Sequence, residues 1–284
     1  MQSVRAYLPI FGVLLFWGLS WPFSKAALQY MSPYVLSLFR FAMGAVFFLC
    51  FTRKLLVNPK ILLGALMNGV CFVTLVNFAV QASQHPALAS SLVYTQPLFV
   101  ALLATLCGEE RLSLHQGVGI LLAFFGILVS AQSVHFDRGA TLAIASGFLW
   151  SLGILYYRRY LKEVDLVHFN ASLNFFSTIA LVPFLLHKAY FVPSKEALFW
   201  GFCTACSAQV AGFFFWFLSL KTLGAVTSST FSLLVPAFAY LFTYFIMGQV
   251  PTSRQVLGSS LTLLGVLLAQ WKKRKHLWKP SSGS

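Results

Sequence analysis

One arginine, two prolines and a scatter of tryptophans and carboxamides are the residues of this chain equipped to do chemistry. Arg40 follows Pro33 by seven residues inside an otherwise apolar run, which is about 10 Å along a helix. A cation at the centre of a bilayer costs about 2.5–3.5 kcal/mol or more unless it is hydrated or paired, and no acidic residue shares its run. Arg40 therefore either snorkels and clamps the carbonyls of a neighbouring helix end, or it receives a carboxylate or phosphate from a bound molecule. Pro97 and Pro236 sit midway along two other apolar runs. A mid-helix proline removes one ladder hydrogen bond and kinks the helix. In lipid the freed carbonyl needs a partner, so such a kink faces protein or a water-filled cavity. The pair either shapes and gates a central site or is purely structural.

Other side chains mark a lining for such a site. Trp17 and Trp21 are four apart and share a helix face, as do Asn77 and Gln81. Gln209 and Trp216, seven apart, lie on one stripe, and Trp150 stands in a further run. Tyr94 and Gln96 precede Pro97, and Ser232 and Tyr240 flank Pro236. A single tryptophan is most simply packing or an interface anchor. Together these residues describe an uncharged, aromatic, hydrogen-bonding cavity that suits amphipathic organic molecules better than bare ions.

The acidic residues argue by their positions. Glu109, Glu110, Asp137, Glu163, Asp165 and Glu196 all fall between the apolar runs or at their edges. Proton-coupled carriers place a titratable group inside the membrane. His85, His168 and His187 also read as boundary residues, so the expectation is a facilitator or exchanger. No Ser–His–Asp set, paired carboxylates, metal-binding histidine motif or phosphate loop is present, which argues against an enzyme. Cys203 and Cys206 form a CxxC with no second pair and no histidine beside it, and helical packing explains it. No metal or cofactor is expected.

The elements that must position these residues follow from composition. The chain is 58% hydrophobic and 9% charged, with mean hydropathy +0.79. That is far below the roughly 25% charge of soluble domains. Runs of bilayer-spanning length are expected at residues 7–28, 34–51, 61–82, 87–107, 114–131, 139–160, 166–186, 197–220, 225–247 and 253–271. The 20 Lys and Arg cluster in short connections rather than on one face, which argues against nucleic acid. With both termini inside, Arg5, Arg53, Lys54, Lys60, Arg158, Lys221 and the Lys272–Lys275 cluster share the cytoplasmic side, as the positive-inside rule requires. The partners expected are a lipid bilayer and a small-molecule substrate.

The chain also repeats itself. Residues 87–130, moved by 139 positions, fall on 226–269 without a gap: Pro97 meets Pro236, Gln116 meets Gln255, and Gly119 and Gly126 meet Gly258 and Gly265. A weaker echo aligns Trp17 with Trp150. Five spans per half is an odd number, so the second half is inserted upside down, an arrangement from which alternating access arises. The glycine pairs read as close-packing stripes, with a homodimer face as the alternative use.

The segment ALASSLVYTQPLFVALLATLCGEERLSLHQGVGILLAFFGILVS, with FWGLSWPFSKAAL at residues 16–28 and SPYVLSLFRF at residues 32–41, resembles the EamA-type ten-helix members of the drug/metabolite transporter superfamily. In the second repeat Gly248-Gln249 replaces the Gly-Glu turn of that pattern. The resemblance implies an all-α integral membrane protein, two inverted five-helix repeats around a central cavity lined mainly by helices one, three, four, six, eight and nine. The repeats are 1–133 and 134–280, with 281–284 read as an expression scar. It further implies export or exchange of small metabolites, often amino acids or related compounds, across a prokaryotic inner membrane. The rival reading is a non-transporting membrane protein, a lipid-handling factor or an assembly subunit.

Overall fold

The computed structural model describes residues 4–82, 91–109, 112–131, 137–186 and 189–271. Gln81 lies in a helix, but its side chain falls outside that description, as do Glu110, Arg111, His85, His187, the Lys272–Lys275 cluster and residues 281–284. Among the described residues the chain is all-helical apart from one isolated bridge, Met31 to Phe191. Its segments are α1 (Arg5–Ala27), α2 (Pro33–Thr52), α3 (Pro59–Ala79), α4 (Val93–Leu106), α5 (Leu114–Ser130), α6 (Arg138–Leu161), α7 (Leu166–Leu186), α8 (Lys195–Leu223), α9 (Ala225–Met247) and α10 (Ser253–Gln270). Seven of these are long and apolar enough to cross a membrane, and α4 and α5 are shorter apolar helices.

Polar caps fix where the helices begin. Asn58 accepts from Ile61 N at 2.9 Å, Asp137 from Ala140 N at 2.8 Å, and Ser194 from Ala197 N at 3.0 Å. Each satisfies one of the amides a helix start leaves free. The repeat-related Gln116 and Gln255 both complete a capping box, donated to by the Ser113 N at 3.0 Å and the Thr252 N at 2.8 Å. Asp165 accepts from the amides of Val167 and His168, both at 3.0 Å. The His168 amide, and then its ring, hold the Asp165 carboxyl below the usual carboxylate range. A depressed folded-state pKa adds stability above the ordinary Asp pKa, and that stability is lost as pH falls through the folded value. Asp165→Ala is therefore expected to cost about 1 kcal/mol at neutral pH. Thermal melts of variant and parent should converge at low pH.

Packing follows a two-fold pattern. α1 lies on α9 and α6 on α4; α1 lies on α8 and α6 on α3; α2 packs on α7 and α5 on α10. Exchanging the halves turns the α1 pairings into the α6 pairings and returns α2–α7 and α5–α10 to themselves. The α5–α10 seam is the closest. A Cβ on Gly119 would meet Gly265 O at 2.6 Å, and one on Gly126 would meet Gly258 O, also at 2.6 Å. The helices therefore run antiparallel. Thr262 Oγ1 donates to Ala123 O at 3.1 Å, joining two positions 139 apart. The glycine stripes are thus used inside the chain, where a homodimer face was the alternative.

Candidate functional site

The prolines do not kink continuous helices; they restart them. In α4 a 3-10 turn at Val93–Thr95 precedes the α-helical Gln96–Leu106. In α9 a turn at Leu233 and Leu234 separates Ala225–Ser232 from Val235–Met247. Pro97 and Pro236 both occupy the first turn of the second piece, where a missing amide proton costs nothing. Gly147 of α6 makes room for the α4 break, since a Cβ there would meet Thr95 Oγ1 at 2.7 Å and Val93 O at 2.8 Å.

π-helical turns interrupt α3 at Met67–Cys71 and α8 at Ala205–Gly212, repeat-related places that periodicity in the sequence did not reveal. Such bulges expose carbonyls and recur at functional sites. A side chain of a neighbouring helix answers the α8 turn, and a side chain of the α3 turn itself reaches out to α6. Trp17 Nε1 donates to Ala208 O at 3.2 Å, and Asn68 Nδ2 donates to Gly64 O at 3.0 Å and Gly153 O at 2.9 Å.

These breaks surround a cavity of about 300 Å³, at the lower end of the range for small-molecule sites. It runs from Trp17 and Trp150 along α1, α2 and α3 to Leu28 and Pro33 at the α1–α2 turn. Of the residues expected to line it, Trp17, Trp21, Arg40, Asn77, Tyr94 and Trp150 do so. Trp21 is 40% exposed near the mouth. Asn77 Nδ2 donates to Ser37 Oγ at 3.4 Å. The Arg40 Nε is buried without a hydrogen-bond partner, and among the described residues no salt bridge holds the guanidinium.

Five expected residues lie off the cavity. Gln96 Nε2 donates to Ser229 Oγ at 2.8 Å, tying α4 to α9 behind the wall. The Ser232 hydroxyl donates to Ser229 O at 2.7 Å within its own helix. Gln209 is fully buried against Gly44, with both ends of its carboxamide unpartnered. Trp216 lies beneath the floor, and Tyr240 of α9 is not a lining residue. The wall is thus supplied by α1, α2, α3, α4, α6 and α8, with α2 in place of the expected α9. Ser20, Ser24, Ser37, Phe72 and Phe213 complete it; as isolated small or apolar residues they gave no signal in the sequence.

Aromatic rings close the opposite end. Trp17, Trp150 and Trp216 touch one another at centroid distances of 5.2–5.8 Å, and Phe72 stacks on Trp150 at 4.5 Å. Toward the end where α1 begins, Tyr157, Phe169 and Phe217 form a second triad at 4.5–5.0 Å. Beyond it, Arg158 Nη1 donates to Leu220 O and Lys221 Nζ to Val164 O, each at 2.6 Å. Gly212 is what lets the floor form, because a Cβ there would collide with the Trp17 indole. Gly212→Ala is expected to displace that indole from Ala208 O. We expect a shift in tryptophan emission and a loss of about tenfold in substrate affinity, consistent with 1–3 kcal/mol of overpacking. Unchanged emission would mean that the floor adapts.

A multi-pass helical bundle with broken helices around an internal cavity, open at one end and plugged at the other, is the architecture of a membrane transporter. The chain belongs to the EamA-like transporter family, whose model matches residues 4–132 and again 137–271. It is therefore a multi-pass membrane transporter and not an enzyme. It is 24% identical to the uncharacterized transporter YoaV of Bacillus subtilis over 93% of this chain and 96% of that protein. It is 25% identical to an uncharacterized transporter of Archaeoglobus fulgidus over 96% of this chain and all of that protein. A probable amino-acid metabolite efflux pump of Escherichia coli is 24% identical over 92% of this chain and 94% of its own length. A solved crystal structure shares the fold, with a TM-score of 0.81 over 94% of this chain and 97% of its own, at 18% identity.

Proposed function

We propose that this chain is a ten-helix secondary transporter that exports or exchanges small organic metabolites by alternating access, with amino acids and related aromatic or amphipathic compounds as the leading class. In this reading residues 1–133 and 134–280 are inverted five-helix repeats, the protein sits in the cell's inner membrane, and both termini are cytoplasmic. The observation that carries it is the guanidinium of Arg40, its Nε buried without a hydrogen-bond partner, on the wall of an aromatic-lined cavity. A substrate carboxylate would supply the partner Arg40 lacks, and Trp17, Trp21 and Tyr94 would hold an apolar body. The seam at Gly119, Gly126, Gly258 and Gly265 supports the repeat arrangement, since its contacts exchange under the 139-residue shift. The amino-acid metabolite named for the Escherichia coli relative supports the substrate class.

The repeat symmetry also says what must move. In the second conformation α6, α7 and α8 take the wall positions that α1, α2 and α3 hold here, and the two aromatic triads separate. Counterflow in proteoliposomes with labelled amino acids, and no imposed ion gradient, tests the reading. Accumulation of one class, lost in Trp17→Ala, supports an uncoupled carrier. Signal only under a pH or sodium gradient would overturn the uncoupled mode, and silence in both would overturn the substrate class.

A further inference from the structure

Two cation–π contacts stand out among the described residues, and both fall on one ring. Lys60 Nζ lies 5.8 Å from the centroid of Tyr160, and the Arg159 guanidinium lies 5.6 Å from it. The residues come from different helices, Lys60 from the first turn of α3 and Arg159 and Tyr160 from the last turn of α6. A lysine in a first turn adds positive charge to a helix end that is already positive, so its own helix gives it no electrostatic support.

The π-helical turn Tyr157–Leu161 explains how α6 presents its bases. The added residue turns Arg158 inward, where it donates to Leu220 O, and leaves Arg159 and Tyr160 exposed on the rim. The two helices are close at this level. A Cβ on Gly64 of α3 would collide with Leu161 and meet Tyr156 at 3.5 Å, and Tyr156 packs on Tyr160 at 4.9 Å. The neighbouring carboxylate, Glu163, is 3.8 Å from Lys162, so among the described residues Lys60 and Arg159 have no acidic partner. Leu62 and Leu63, one turn along α3, are exposed and extend the cleft onto the apolar surface.

We propose that this rim cleft is a binding site for an anionic phospholipid of the phosphatidylglycerol or cardiolipin type. Lys60 and Arg159 donate to the phosphodiester oxygens. Tyr156 and Tyr160 lie at headgroup depth, where tyrosine is favoured. The acyl chains run along Leu62 and Leu63. Basic clefts between spanning helices select such headgroups by charge.

The test is native mass spectrometry of the full chain in detergent, titrated with phosphatidylglycerol and phosphatidylcholine of identical acyl chains. Wild type should retain phosphatidylglycerol about tenfold more tightly, from two basic contacts. Lys60→Ala/Arg159→Ala should abolish that preference, while Lys195→Ala, on the opposite rim, should keep it. Should the double variant fold poorly, Arg159→Gln alone should reduce the preference about threefold. A double variant that keeps the preference overturns the proposal, as does a Lys195→Ala variant that loses it. Equal competition by inorganic phosphate would identify a free-anion site and overturn the lipid assignment.

Discussion

Arg40→Leu is expected to weaken substrate binding about 10- to 100-fold and, in the same protein, to raise thermal stability. The two effects have one cause. Hydrogen bonds to a charged group contribute about 1.5–3 kcal/mol each, which converts to roughly that range of affinity. Without substrate part of that capacity goes unused, because its Nε is buried and unpartnered and no carboxylate among the described residues pairs with it. An unpaired buried charge destabilises the fold that holds it. An apolar replacement removes that cost, and we expect a rise of about 2 °C or more in the melting temperature. Binding isotherms and melts on one preparation check both halves. A clamp on neighbouring carbonyls, the other use open to an intramembrane arginine, predicts the opposite sign for stability. A variant that loses stability and transport together would therefore remove Arg40 from the substrate site.

Gly119→Val and Gly265→Val are expected to be the most damaging small substitutions outside the cavity, each costing about 3 kcal/mol or more. The atoms that a new Cβ would meet are main-chain atoms of the facing helix: Gly265 O at 2.6 Å for position 119, and Gly119 O at 2.6 Å for position 265. Backbone cannot step aside as a rotamer can. Gly117, two residues before Gly119 and so turned away from the seam, is the control. A Cβ there would make only ordinary contact with the Leu112 side chain at 3.6 Å, so Gly117→Ala should fall within about 0.5 kcal/mol of wild type. Because the two valines invade one contact, the double variant should cost less than the sum. Chromatographic monodispersity after a heat step measures all four proteins.

The sequence carried the parts of this fold that rest on backbone geometry. Several residues shared at the 139-residue offset have a backbone role that admits few substitutes. Gln116 and Gln255 close capping boxes, Gly119, Gly126, Gly258 and Gly265 form the seam, and Pro97 and Pro236 restart broken helices. The length of the apolar runs placed the helices, because a bilayer imposes that length. The cavity was only half legible. Trp17, Trp21, Arg40, Asn77, Tyr94 and Trp150 line it, because large or polar groups inside apolar runs need a reason to be there. Gln96, Gln209 and Ser232 met the same criterion and lie buried off the cavity. Helical spacing assigns a face but not what the face meets. The π turns in α3 and α8 also shift that face by about one residue per turn, which no regular period describes. The exchange of α9 for α2 in the wall has another cause: sequence symmetry treats both halves alike, whereas a cavity open at one end does not.

The α5–α10 seam bears on how such a chain came to exist. Its contacts link each half to the other through positions that the 139-residue shift interchanges, down to the bond between Thr262 and Ala123. A five-helix polypeptide carrying these glycines holds both sides of the joint on one surface. Two separate copies inserted in opposite senses would meet there glycine to glycine, before any fusion of their genes. A fused chain is freed from that identity, and the centre of the seam departs from it, with Thr262 facing Ala123.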